Sequence, residues 1–291
     1  MATIARLTAS AEALGALTAH LRARAEGIAL DPEIGDTLDR IAMALDVDTS
    51  TLDPGQLTIA ATTARTYLRQ AADLAEEPGR PIGWREVDAD GLQVQGRSSA
   101  VIAHLIATMA PQLAGLAEAL ARPGAAFLDI GSGIGAIAVE LCQIWPALHV
   151  VGLEPWDVPM ALAVENVTAA GVGHRVALRT MTIEAFDDRE AFDAAWLSGP
   201  FLPTSVVRAA LARTYAALHP GGWAIFGLFA GPEGDLAREL LRLRTLRTGG
   251  NPFTMPEIEK LLEAAGFSDV HTVERTCHAP VGFVVGRRPV A

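Results

Sequence analysis

The chain has 291 residues, half of them hydrophobic, with a net charge of −11 and one lysine, Lys260, among its 23 basic residues. That length exceeds a single minimal α/β domain and accommodates one such domain plus an added segment of about 95 residues. Nucleic-acid binding needs clustered cations that displace counterions, and no basic stripe is present, so no DNA or RNA partner is expected.

Residues 3–25 place Ile4, Leu7, Ala11, Leu14, Leu17 and Leu21 on one side at helical spacing. Asp31-Pro32 and Asp53-Pro54 each resemble a helix start with proline at the first position, which predicts further helices over 33–45 and 54–77. The first 78 residues therefore read as three helices. Pro78, Gly79, Pro81 and Gly83 mark a break, and 83–96 reads as a short hairpin or extended lid. Helices over 98–109 and 111–121, divided by Pro111, lead into the first strand. The N-terminus has no basic segment followed by an apolar core, and no run of about 20 apolar residues goes uninterrupted, so the expectation is a soluble cytoplasmic protein with no membrane partner. Cys142 and Cys277 sit in no metal-ligand spacing and read as small buried residues, with neither a disulfide nor a metal expected.

The stretch FLDIGSGIG at 127–135 carries the most chemistry. An apolar strand ends at Asp129 and runs into Gly131, Gly133 and Gly135, where backbone can turn sharply and a ligand can approach main-chain N–H groups. Helical spacing follows over 136–145, then a buried strand over 149–154 that ends in Glu154, placed to accept both hydroxyls of a ribose. A glycine turn of this kind serves dinucleotides, phosphates and adenosyl ligands alike. Two features favour S-adenosylmethionine over NAD here. The third glycine comes one residue earlier than in GxGxxG, and Asp129 would repel a pyrophosphate while suiting an ammonium and a sulfonium.

Over residues 95–288 the chain resembles the class I S-adenosylmethionine-dependent methyltransferases of small molecules. FLDIGSGIG looks like their first motif, GLEPW at 152–156 like the ribose-binding second, FDAAWLSGPFLP at 192–203 like the fourth strand and its loop, and LHPGGWAIFG at 218–227 like the turn and fifth strand. The resemblance implies an α/β fold: a Rossmann-like, seven-stranded, mostly parallel sheet with helices on both faces, the cofactor lying at the carboxyl ends of strands one and two. With the helical segment added, the expected division is an N-terminal all-helical cap, lid or dimerisation segment at 1–96 and a methyltransferase domain at 97–291. The chain departs from the family after its third strand, where an acid usually meets the adenine amino group and Met181, Thr182 and Ile183 stand instead.

The expected cofactor residues are Arg97, Asp129, Gly131, Ser132, Gly133, Gly135, Glu154, Pro155, Trp156, Thr182, Ile183 and Ser198. Arg97 could pair with the methionine carboxylate, with Ser98 beside it as a helix N-cap, and Trp156 could pack on the adenine. Trp84, Phe201, Phe229, Phe253 and Met255 are the expected apolar walls of an acceptor pocket, their plainer reading being core packing. A general base, where oxygen is the acceptor, is sought in His104 or His278, although the simpler reading of each is a satisfied or solvated histidine. Ser198-Gly199-Pro200-Phe201 is similar to the Asn/Asp-Pro-Pro-Tyr/Phe loop of amino-group methyltransferases, with serine and glycine replacing its first two residues.

The expected activity is methyl transfer to a small, aromatic or heteroaromatic metabolite, by C-methylation of an indole-type ring or by O-methylation. Rival readings are an amino-group methyltransferase acting on a protein, peptide or small amine, a nicotinamide oxidoreductase, and a non-catalytic cofactor-binding or assembly protein. A homodimer through the N-terminal helices is a further expectation.

Overall fold

In the computed structural model, residues 1–80, 89–230, 234–274 and 281–290 are described, apart from the side chains at 59, 90, 91, 94 and 95. The chain divides into two compact units, Met1–Arg80 and Pro81–Ala291.

The first unit consists of α1 (Ala2–Glu26), α2 (Pro32–Ala44) and α3 (Pro54–Glu76). Local chemistry sets their limits. Asp31 accepts from the N–H groups of Glu33 and Ile34 at the start of α2, and Asp53 and Gln56 cap each other's backbone at the start of α3. Gly27 ends α1 in the left-handed conformation (φ 65°). Leu21, Leu57 and Ala61 form the buried centre of this unit.

The second unit opens with α4 (Ala89–Ser99), α5 (Val101–Met109), a 3-10 turn over Ala110–Gln112 and α6 (Leu116–Ala121). The hairpin expected over 83–96 is not formed in its described part, which is helix from Ala89 onward; 81–88, with Trp84, lie outside the described residues. The helix is held from outside by a reciprocal pair of side-chain amides, Gln93 and Asn166, whose two bonds are 3.2 Å each. Because α4 runs through Ser98, that residue is not a helix N-cap; Ala100 occupies that place for α5. The second expected helix starts only at Leu116, since Gly115 breaks the chain with φ 77°.

The sheet follows as β1 (Ala126–Ile130), α7 (Ala136–Ile144), β2 (His149–Leu153), α8 (Asp157–Ala169), β3 (Val176–Arg179), β4 (Phe192–Ser198), α9 (Thr204–Ala217), β5 (Leu218–Phe229), α10 (Asp235–Arg247), α11 (Met255–Ala264), β6 (Ser268–Thr272) and β7 (Val281–Arg287). Strand order is β3-β2-β1-β4-β5-β7-β6, with β1 to β5 parallel and β7 antiparallel to both its neighbours. The central strands are covered on both faces and are correspondingly apolar apart from the buried Asp129 and Asp193. Successive β1 residues feed opposite sides, Phe127 joining Trp196, Ile225 and Val285 on one face and Leu128 joining Leu197, Phe226 and Val284 on the other. The seven-stranded, mostly parallel α/β sheet with helices on its faces and a helical N-terminal region is the architecture expected from the motifs.

Phe127 is fully buried at the centre of one face. Phe127→Ala is expected to destabilise the sheet unit by about 3–5 kcal/mol, measured by chemical denaturation followed through circular dichroism.

Candidate active site

The carboxyl end of β1 is built around the glycine turn. Gly131, Gly133 and Gly135 all have positive φ (77°, 54° and 75°), so an L side chain at any of them would be strained. The turn is anchored to β2, because the N–H groups of Gly131 and Ser132 both donate to the Leu153 carbonyl, at 2.9 and 3.0 Å. Gly135 then caps α7, whose first free N–H groups face the same end of the sheet. From α8, the Asn166 amide donates to the Ile134 carbonyl at 2.9 Å.

Glu154 ties the second strand to this turn. Its Oε2 accepts from Gly133 N–H at 2.9 Å and its Oε1 from Trp156 N–H at 3.0 Å. Each oxygen keeps one lone pair, the complement of two vicinal hydroxyls. Burial raises the pKa of this carboxyl above its ordinary value, against the opposing effect of the two N–H groups.

Asp129 is different in kind. It is completely buried in the central strand, and among the described residues neither of its oxygens has a hydrogen-bond partner; the buried Ser132 hydroxyl is likewise without one among them. Desolvation, with a smaller contribution from the charge of Glu154, pushes the Asp129 carboxyl up to about 7. A buried carboxylate left this way is costly unless a cation or donor meets it. The donor set therefore fits a ligand with a positive group near the glycine turn and a diol near Glu154, which matches S-adenosylmethionine and opposes a pyrophosphate.

The loop after β4 lies against this turn. A Cβ added to Gly131 would stand 3.7 Å from the Ser198 Cβ, so the ends of β1 and β4 are adjacent. Past Ser198 the chain makes a 3-10 turn over Gly199–Phe201, and Phe201 meets Phe229 edge to face with ring centroids 6.2 Å apart. The turn is gripped from the segment that follows α10. Asn251, buried to 1% exposure, donates to the carbonyls of Gly199 (2.9 Å) and Leu202 (3.1 Å), and Thr248 Oγ1 donates to the Pro200 carbonyl (2.9 Å). Sequence reasoning misses Asn251 and Thr248, because Gly249, Gly250 and Pro252 mark only a loop.

The remaining expected site residues fall in several places. Trp156 is largely exposed beyond Glu154 and Pro155, Arg97 is exposed in the last turn of α4, and Thr182 is exposed before a 3-10 turn whose Ile183 is buried in the core. Phe253 and Met255 pack against the face of the sheet that holds Leu197 and Phe226. His104 Nε2 lies 2.8 Å from Glu140 Oε1, a contact that joins α5 to α7. His278 and Cys277 lie outside the described residues, whereas Cys142 is a buried free thiol. Among the described residues no group of three His, Cys, Asp or Glu side chains could hold a metal ion, and no helix is long and apolar enough to cross a membrane.

The Asp129 carboxyl has consequences for stability. Its folded pKa of about 7 lies above the ordinary 3.8, so between those values the folded chain holds a proton that the unfolded chain has lost, and stability falls as pH rises. Asp129→Asn is expected to be more stable than the parent at pH 8, by on the order of a few kcal/mol. The difference should fade towards pH 4, as measured by thermal denaturation of the ligand-free protein across that range.

Comparison with known proteins agrees with this geometry. Residues 127–222 match the family model of a methyltransferase domain. The chain is 44% identical over 70 residues to a release factor glutamine methyltransferase of Cereibacter sphaeroides, which is 24% of this chain and 25% of that protein, so it spans about a quarter of that relative's length. Human N-acetylserotonin methyltransferase, solved in complex with S-adenosylmethionine, superposes with a TM-score of 0.69 at 16% identity, covering 98% of this chain and 96% of the other. An O-methyltransferase family protein from Burkholderia thailandensis superposes with a TM-score of 0.67 at 12% identity, covering 99% and 98%. These identities establish likeness of fold. Residues 127–222, a third of the chain, thus match a methyltransferase domain, and the chain shares its fold with solved methyltransferases.

Proposed function

We propose that the chain transfers a methyl group from S-adenosylmethionine to oxygen, or to an electron-rich ring carbon, of a small aromatic metabolite. The observation that carries the cofactor half is the buried, unpartnered Asp129 beside the glycine turn, together with the doubly anchored Glu154. When bound, S-adenosylmethionine supplies a sulfonium-activated methyl group. Glu154 accepts the ribose hydroxyls, Asp129 faces the cationic end, Gly131, Ser132, Gly133 and Gly135 admit the ligand to the backbone, and Arg97, Pro155, Trp156, Thr182, Ile183 and Ser198 complete the proposed binding set. Since the reaction is an in-line displacement, the protein's chief work is to align acceptor and donor and keep water out.

The acceptor half rests on the loop after β4. From Gly199 to Pro203 it contains no charged side chain, and it presents the Phe201–Phe229 pair. An apolar wall of this kind suits a flat ring. The full-length likeness in fold to human N-acetylserotonin methyltransferase supports the same reading. Trp84, Phe253 and Met255 are proposed as further walls. His278 is the proposed base where the acceptor is a hydroxyl, while His104 is engaged with Glu140 and its proposed role is correspondingly weaker. A second reading, methylation of a glutamine side chain, is favoured by the 44% identity over 70 residues to the release factor enzyme.

Calorimetric titration with S-adenosylhomocysteine and, separately, NAD tests the cofactor. Micromolar binding of the first alone is expected, and Glu154→Gln should weaken it by at least tenfold, about 1.4 kcal/mol. Preference for NAD would refute the reading. Because a cationic ligand needs Asp129 ionised, affinity for S-adenosylmethionine should rise with pH up to about 7 and then level off. Transfer of labelled methyl groups to phenols and indoles, compared with a glutamine-containing peptide, separates the two acceptor readings.

We further propose a homodimer through the N-terminal helices. Ile4, Leu7 and Leu14 lie along α1 at helical spacing yet remain 61%, 59% and 37% exposed. Sedimentation velocity of the full chain should show a dimer, and Leu7→Glu should shift it towards monomer.

A further inference from the structure

Resting on the methyltransferase reading, we propose that Asn251 is a positioning and specificity-determining residue: by filling the last free lone pair of the Gly199 carbonyl in the loop after β4, it denies that carbonyl to nitrogen acceptors. The loop resembles one in which a polar side chain and a backbone carbonyl hold the N–H groups of a planar amine. Here Ser198 replaces the amide or acid, and the Gly199 carbonyl is already committed.

A carbonyl oxygen has two lone pairs. Gly199 O receives Leu202 N–H at 3.1 Å, closing the 3-10 turn, and Asn251 Nδ2 at 2.9 Å, which uses both. The second hydrogen of the same amide goes to Leu202 O at 3.1 Å. Thr248 Oγ1 is 2.9 Å from Pro200 O and also 2.9 Å from Thr245 O, so its single proton is shared between them. Asn251 Oδ1 in turn accepts from Phe253 N–H at 3.3 Å, which fixes the amide's orientation.

The grip leaves no slack. A Cβ on Gly250 would stand 1.9 Å from Pro200 O, and one on Gly199 would stand 2.3 Å from Gly227 O on β5. The loop is thus pressed between β5 and the 248–251 segment, and its backbone cannot rotate to free a carbonyl without losing several buried bonds at once. Beside the filled Gly199 carbonyl stand the rings of Phe201 and Phe229, with the Arg244 guanidinium 5.8 Å from the Phe229 centroid.

The test reads the carbonyl directly. The full chain is carbon-13 labelled at glycine carbonyls and saturated with S-adenosylhomocysteine, and the Gly199 resonance is followed by NMR while acetamide is added as an N–H donor. In the parent protein the resonance should not respond. In Asn251→Leu, which removes both donors at similar volume, acetamide should produce a saturable shift, with affinity about tenfold or more above the parent's. Thr248→Ala, which frees only Pro200 O, should leave the Gly199 resonance unresponsive and serves if the first variant fails to fold. An equal response in the parent, or a response of Gly199 in Thr248→Ala, would overturn the proposal. So would methylation of a glutamine-containing peptide by the parent. Failure of the parent to bind S-adenosylhomocysteine would instead count against the methyltransferase reading itself, which keeps the two failures apart.

Discussion

Two carboxylates forced close together in a dry place govern this molecule. Asp129 stands next to last in the central strand, with no partner for either oxygen among the described residues, and Glu154, just past the end of the next strand, adds like charge to its surroundings. Among the described residues nothing relieves Asp129, so an ionised carboxylate there carries an electrostatic cost that a cationic ligand can remove. The glycine turn, the N-terminus of α7 and the anchoring of both to Leu153 and Glu154 all serve to hold that unrelieved charge beside open backbone. Stability has been exchanged for a poised site, as is common where function requires strain or desolvation.

The two halves of the proposed reaction are built by opposite means. On the cofactor side, polar groups are left with capacity: a lone pair on each oxygen of Glu154, and all of Asp129 and the Ser132 hydroxyl. On the acceptor side, the Gly199 carbonyl is filled by Leu202 N–H and Asn251, and the Phe201–Phe229 ring pair stands beside it. Selectivity for the donor then comes from charge and hydrogen bonding, and selectivity for the acceptor from shape and exclusion.

How much of this could be read from the residues depended on distance along the chain. The glycine turn, Asp129 and Glu154 were legible because strand, turn, helix and strand follow one another within a single βαβ unit, and each residue's role is set by its immediate neighbours. The starts of α2 and α3 were legible for the same reason, through Asp31-Pro32 and Asp53-Pro54. Helix α4 was not, since Gly91 and Gly96 suggest turns and the Gln93–Asn166 pair that binds the helix in place spans 73 positions. Asn251 escaped notice too: its partners lie 49 and 52 residues upstream, and an Asn-Pro step gives no hint of a buried donor. Tertiary context overrode local preference in both cases.

The reversed strand has a consequence for how the chain assembles. β5 runs parallel to β4 on one side, but its other edge pairs with β7, from Trp223 against Arg287 to Phe229 against Val281. Between them in sequence come α10, α11 and β6, and β6 itself pairs only with β7. During synthesis, then, an almost wholly apolar strand stands with one row of N–H and C=O groups unpaired until the last strand of the sheet has been made. An open edge of that composition invites pairing with other chains, and its non-local closure is slow. The most vulnerable moment in this protein's life falls between the emergence of β5 and the arrival of β7, which makes the final strand the one that protects the nascent chain from its neighbours.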